Sequence, residues 1–150
     1  MENTNSRGKI LESIHVLVAD DIEANRKLLG IILELHGANV YYAVNGKEAV
    51  EKATNGYDID VISMDIQMPI LDGVMARKQI KQFHKNKGTD IPIMATTSYA
   101  LSGDRERFLG KGFDKYQTNP LDVNLFVQNI FELYHQDSQI PNKKVRQIKQ

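Results

Sequence analysis

The chain has 150 residues, 19 basic and 19 acidic side chains, a formal net charge of zero and no cysteine. That length suits one domain with a sizeable core and leaves no room for a second. Balanced charge argues against a broad nucleic-acid or anionic-membrane footprint, and the lack of cysteine removes disulfide and thiolate chemistry and fits a reducing compartment.

The opening residues Met1-Glu2-Asn3-Thr4-Asn5-Ser6 are polar and lack the apolar stretch of a signal peptide or anchor. No other run approaches the roughly 20 apolar residues of a membrane span, so a soluble, cytoplasmic protein is expected. Residues 1–13 form a polar lead-in. A first strand is expected over His15–Ala19, followed by Asp20 and Asp21. Ile22, Leu28, Leu29, Ile32, Leu33 and Leu35 then recur at helical spacing until Gly37, and Asp21 is placed to cap that helix. Asn39–Ala43 is β-branched and aromatic, a second strand. Asn45-Gly46 turns the chain into a short helix over Lys47–Thr54, with Ala49, Val50 and Ala53 as its apolar stripe.

Val61–Met64 is the central strand, and it delivers Asp65 before Pro69 stops the run. Gly73 opens a helix through Phe83 with Val74, Ile80 and Phe83 as core contacts, and Lys85-Asn86-Lys87-Gly88 is a polar loop. A strand over Ile91–Thr96, a helix over Arg105–Lys111 ended by Gly112, a strand over Lys115–Thr118 and a helix over Val123–Tyr134 complete the pattern. Residues 136–150, with Lys143, Lys144, Arg146 and Lys149, lack an apolar stripe and are expected to be a basic tail or linker.

Short strands alternating with helices predict an α/β fold, a (βα)5 doubly wound parallel sheet with right-handed crossovers and strand order 2-1-3-4-5. The first and third strands then lie at the centre, beside the topological switch point where such sheets open a crevice. Asp20, Asp21 and Asp65 meet at that edge. Like charges so close raise one another's pKa, so the cluster asks for a cation, and Mg²⁺ suits hard oxygen ligands. Asp20 and Asp21 alone would equally be an acid pair at a helix start. Thr97 can offer a hydroxyl at the same edge, and Asn119-Pro120 sits at its rim. The histidines His15, His36, His84 and His135 show no ligand spacing, and the lysines 78, 81, 85 and 87 make an ordinary solvated face.

Five blocks in order carry a family resemblance: Val18-Ala19-Asp20-Asp21, Met64-Asp65-Ile66-Gln67-Met68-Pro69-Ile70-Leu71-Asp72-Gly73, Ile91-Pro92-Ile93-Met94-Ala95-Thr96-Thr97, Ala100-Leu101-Ser102-Gly103-Asp104-Arg105 and Gly112-Phe113-Asp114-Lys115-Tyr116. The chain from about residue 14 to 135 resembles the flavodoxin-like receiver domain of two-component response regulators, and its acidic first-helix block is most like receivers of hybrid histidine kinases. The resemblance implies that Asp65 accepts a phosphoryl group from a phosphohistidine. It implies that Asp21, Asp65 and the backbone carbonyl of Gln67 hold Mg²⁺ directly, with Asp20 acting through a water. Thr97 and Tyr116 would be the switch residues, Thr97 reaching the new phosphoryl oxygen by its hydroxyl and Tyr116 turning inward as that loop shifts. A histidine kinase or histidine phosphotransfer protein and a downstream protein would be the partners, and the only catalysis would be the chain's own phosphorylation and dephosphorylation.

One position departs from the family. Receivers carry lysine before the proline of the last loop, and this chain has Asn119, whose side chain is neutral and shorter. Charge-assisted bonds are roughly twice as strong as neutral ones, so a degenerate receiver that binds partners without phosphorylation is the alternative. Lys115 lies four residues back, roughly 13 Å along a strand, too far to substitute. An aspartate-based phosphatase would want a second acid where Gln67 stands, and a flavodoxin a hydroxyl-rich loop where Asp20 and Asp21 stand.

Overall fold

A computed structural model describes residues 9–98, 100–118 and 122–137 of the chain. Asn119, Pro120, most of the lead-in and residues 138–150 of the tail lie outside them. The elements run β1 (His15–Ala19), α1 (Glu23–Leu35), β2 (Asn39–Ala43), α2 (Gly46–Thr54), β3 (Val61–Asp65), α3 (Gly73–Asn86), β4 (Ile93–Thr97), α4 (Asp104–Gly110), β5 (Lys115–Thr118) and α5 (Val123–Asp137). The five strands pair in parallel in the order β2-β1-β3-β4-β5.

Alternation along the strands splits the core into two layers. Val16, Val18, Val61 and Met94 point to one face and pack against Leu29 and Leu33 of α1 and Phe126 and Ile130 of α5. Leu17, Ile62, Met64 and Ile93 point to the other and meet Ala49 and Ala53 of α2, Ala76 and Ile80 of α3 and Phe108 of α4. All five residues of β3 and of β4 are buried, as expected of central strands covered on both faces. Burying each Leu or Ile side chain stabilises by roughly 1.5–3 kcal/mol, which is what holds the strand ends in place around the crevice.

Local chemistry sets the helix ends. Asn45 caps α2 by accepting from the Glu48 N–H at 2.8 Å, and Asp72 caps α3 by accepting from Met75 at 2.9 Å. Gly37 ends α1 with φ 100, where the Ala38 N–H returns to the Leu33 carbonyl. Other residues differ from expectation. Asp21 does not cap α1. The N-cap is Ile22, whose own N–H is bound by Asp20 at 2.9 Å. β4 begins at Ile93, because Pro92 has no N–H for the ladder, and it extends to include Thr97. α3 runs on to Asn86, where lysine and asparagine extend a helix already anchored by Ile80, and Phe83 is half-buried. Within the lead-in, Leu11 is fully buried, and its N–H binds the His36 carbonyl at the end of α1.

Candidate functional site

The carboxyl ends of β1 and β3 bring the acids together. The register pairs Ala19 with Met64, so the next residues, Asp20 and Asp65, stand side by side. Asp20, Asp21 and Asp65 each present a carboxylate oxygen, all within 4.8 Å of one another. Asp65 is only 7% exposed and Asp20 only 1%, more enclosed than an acid emerging into a loop, whereas Asp21 faces solvent. Gly73 makes the crowding possible, since a Cβ there would overlap the Asp65 carbonyl.

Electrostatics at this edge are unfavourable without a cation. Burial first, then the charge of Asp20, pushes Asp65 up to about 7, against the opposing hydrogen bond from the Gln67 N–H to its Oδ1 at 3.4 Å. Burial also raises Asp20, opposed by the Ile22 N–H. Arg26 lies close, yet it donates to the Asp20 backbone carbonyl and not to the carboxylate. Among the described residues no salt bridge reaches the three acids. Three converging hard oxygen donors, two of them buried and none in a salt bridge among the described residues, fit a divalent cation that takes oxygen ligands.

The remaining expected residues fall near the same edge. Thr97 ends β4 and is 5% exposed, while the register pairs Asp65 with its neighbour Thr96. Tyr116 lies inward on β5, 9% exposed, stacked on Phe108 with ring centroids 5.8 Å apart, and its buried hydroxyl has no hydrogen-bond partner among the described residues. Burial and the nearby Asp104 raise its phenol above its usual value. Gln67 is exposed. Asn119 lies outside the described residues.

Three exposed apolar side chains stand at this edge. Ile22 was part of the helical pattern but caps α1 from outside it, while Ile70 and Leu101 had no signal in the periodicity, because single residues in turns have no period. Ile22, Ile70 and Leu101 are 49, 75 and 69% exposed, one in each of the connections after β1, β3 and β4. Ile70 also has φ 72 within a three-residue turn closed by the Leu71 N–H on the Pro69 carbonyl, a strained conformation for a β-branched residue. On α1, Leu28, Ile31 and Leu35 are more than half exposed, so two of the residues counted in its apolar pattern face solvent.

The family model of the response regulator receiver domain matches residues 16–131. The chain belongs to the response regulator receiver domain family. Hybrid signal transduction histidine kinase I of Dictyostelium discoideum is 40% identical to it over 119 residues, 77% of this chain. The receiver spans 7 to 14% of the length of the curated histidine kinases it matches first. Among solved structures, the receiver domain of Saccharomyces cerevisiae Ssk1, co-crystallised with the histidine phosphotransfer protein Ypd1, is 30% identical with a TM-score of 0.78, covering 89% of this chain and 97% of that one. The receiver domain of the sensor histidine kinase PA1611 of Pseudomonas aeruginosa, with a magnesium ion coordinated in its active-site cleft, is also 30% identical, with a TM-score of 0.70, covering 81% of this chain and 97% of that one. This receiver is therefore a module of two-component phosphorelay signalling. No helix among its described residues is long and apolar enough to cross a membrane.

Proposed function

We propose that this receiver takes a phosphoryl group onto Asp65 from a phosphohistidine on a histidine kinase or histidine phosphotransfer protein, and that the resulting acyl phosphate switches binding of a downstream protein. The convergence of Asp20, Asp21 and Asp65 within 4.8 Å is the observation that carries this reading. Asp21, Asp65 and the Gln67 carbonyl would hold Mg²⁺, with Asp20 acting through a water; when bound, the ion supplies positive charge against the phosphoryl oxygens. An ionised Asp65 oxygen attacks phosphorus, the P–N bond breaks, and its electron pair returns to the imidazole, which takes a proton. Burial excludes bulk water from Asp65 and favours attack by the carboxylate over hydrolysis. Thr97 would reach the new phosphoryl oxygens, and Tyr116 would report the change; binding the phosphoryl group in one conformer is what shifts the population.

The apolar surroundings support a protein donor. Ile22, Ile70 and Leu101 stand exposed in the connections after β1, β3 and β4, and Leu28, Ile31 and Leu35 repeat along the outward side of α1 at helical spacing. Such a stripe suits a helical protein surface, and a structural relative, the receiver domain of Ssk1, is co-crystallised with the histidine phosphotransfer protein Ypd1.

One residue favours a second reading. Asn119 cannot supply the charged contact that lysine gives other receivers, so the degenerate alternative is a binding module that works without phosphorylation or is only weakly switched by it. Intact-mass analysis after exposure to acetyl phosphate with Mg²⁺ separates the two. Wild type should gain one phosphoryl mass, Asp65→Asn none, and Asn119→Lys should alter the lifetime of the adduct. An unmodified wild type alongside a modified Asn119→Lys would establish the degenerate reading, and equal adducts on wild type and Asp65→Asn would refute Asp65 as acceptor.

A further inference from the structure

A row of buried polar side chains leaves the acidic site on the side away from Tyr116. The register pairs Asp65 with Thr96 and Thr96 with Gln117, so these residues stand abreast on three consecutive strands. Parallel partners share a face. That face is the one covered by α1 and α5, because Lys115 and Gln117, at alternate positions of β5, both reach α5. Lys115 Nζ meets Glu132 Oε1 at 3.0 Å, and Gln117 Oε1 accepts from Asn129 Nδ2 at 3.0 Å. Tyr116, between them, packs on Phe108 behind the opposite face. With strands about 4.8 Å apart, Gln117 is about 10 Å from Asp65.

Thr96, Gln117 and Asn129 are 1, 5 and 8% exposed. With Ser63, which stands between Val18 and Met94 on the same face, they interrupt a layer of apolar side chains. Two apolar residues in place of a buried amide pair would be neutral or stabilising, so packing alone does not account for them. Gln117 also holds α5 twice. Its Oε1 binds Asn129 in the middle of the helix, and its Nε2 reaches the carbonyl of Asp122 at 3.4 Å, the residue whose carboxylate accepts from the Leu125 N–H in the first turn. Reorienting this one amide displaces both contacts together.

We propose that Thr96 and the buried Gln117–Asn129 pair couple the charge carried at Asp65 to helix α5, a second route on the face opposite Thr97 and Tyr116. Amide and hydroxyl dipoles respond strongly to a nearby charge when water is excluded, and the row gives that response a path ending on a helix. The role in signalling rests on Asp65 being the phosphoacceptor, yet the coupling itself needs only a change of charge there.

The experiment follows the backbone amides of α5 and the side-chain amide of Asn129 by NMR, with the charge at Asp65 altered in two ways: acetyl phosphate with Mg²⁺, and Asp65→Asn. Both should move these signals in the wild-type background. In Gln117→Leu/Asn129→Leu, which replaces both partners, the α5 response should fall below half while the rings of Tyr116 and Phe108 respond as before. Thr96→Val, nearly isosteric and leaving the amide pair intact, should also weaken the α5 response, and it decides the matter if the double variant does not fold. Undiminished α5 shifts in these variants, or no α5 shift from Asp65→Asn, would overturn the proposal. A wild type that takes no phosphoryl group, but whose α5 still responds to Asp65→Asn through the pair, would leave the coupling standing and remove the phosphoacceptor.

Discussion

Asp65 ionises at neutral pH only at a cost, since burial and Asp20 push it up to about 7 from an ordinary 3.8. Between those values the folded chain holds a proton that the unfolded chain has released, so stability falls as pH rises through the window. The contribution is fully present below about 3.8 and lost above about 7. Asp20, raised in the same direction, adds to the slope. The melting temperature of the metal-free protein should therefore drop from about pH 5 to about pH 8. Asp65→Asn should flatten most of that drop and raise stability at the upper end by about 1–3 kcal/mol, the usual range for a buried group lacking its partner. Mg²⁺ should stabilise wild type above pH 7 by linkage and leave Asp21→Ala much less affected. Thermal unfolding across the pH series checks this, and parallel curves for wild type and Asp65→Asn would contradict it. The three acids were legible in the sequence because each closes or follows a short apolar run. Their depth was not, since it depends on α3 starting against the Asp65 carbonyl at Gly73.

Among the elements, α1 shows where pattern and packing part. Helical spacing identified Ile22, Leu28, Leu29, Ile32, Leu33 and Leu35 together, but Ile22 lies outside the helix and a helix lying on one sheet face buries only one stripe. Leu29, Ile32 and Leu33 take it, leaving Leu28, Ile31 and Leu35 outside. If that outer stripe meets a helical phosphodonor, Ile31→Glu should weaken binding of a histidine phosphotransfer protein at least about tenfold, a cost of roughly 1.4 kcal/mol. It should leave folding stability within about 0.5 kcal/mol, as surface changes usually do. Phosphorylation by acetyl phosphate should be unchanged, because that donor needs no protein surface. Calorimetric titration beside the small-donor assay tests it, and unaltered binding would remove α1 from the interface. Strand bounds were mostly legible, since β1, β2 and β5 are bounded by acids, turns or prolines. β4 shifted because a proline inside an apolar run donates no ladder bond, a matter of hydrogen-bond geometry and not of hydropathy.

At the scale of the molecule, alternation of strands and helices determined the strand order, because parallel strands with right-handed crossovers leave few topologies. Contacts distant in sequence escaped the same reading. Leu11 closes over the end of α1, Gln117 meets Asn129 inside an apolar layer, and Tyr116 already lies inward on Phe108. Each depends on which side chains two elements bring together, and no single segment displays that. The domain limits at 14 and 135 remain an expectation, and the buried Leu11 supports including the last residues of the lead-in. The central claim is that these elements hold Asp65 ready to receive a phosphoryl group from histidine. Transfer from a purified, radiolabelled phosphohistidine protein in the presence of Mg²⁺ tests it most directly. The label should move to wild type and to Thr97→Ala, and should fail to move to Asp65→Asn or to wild type in excess chelator; label arriving equally on Asp65→Asn, or on no form of the chain, would contradict the account.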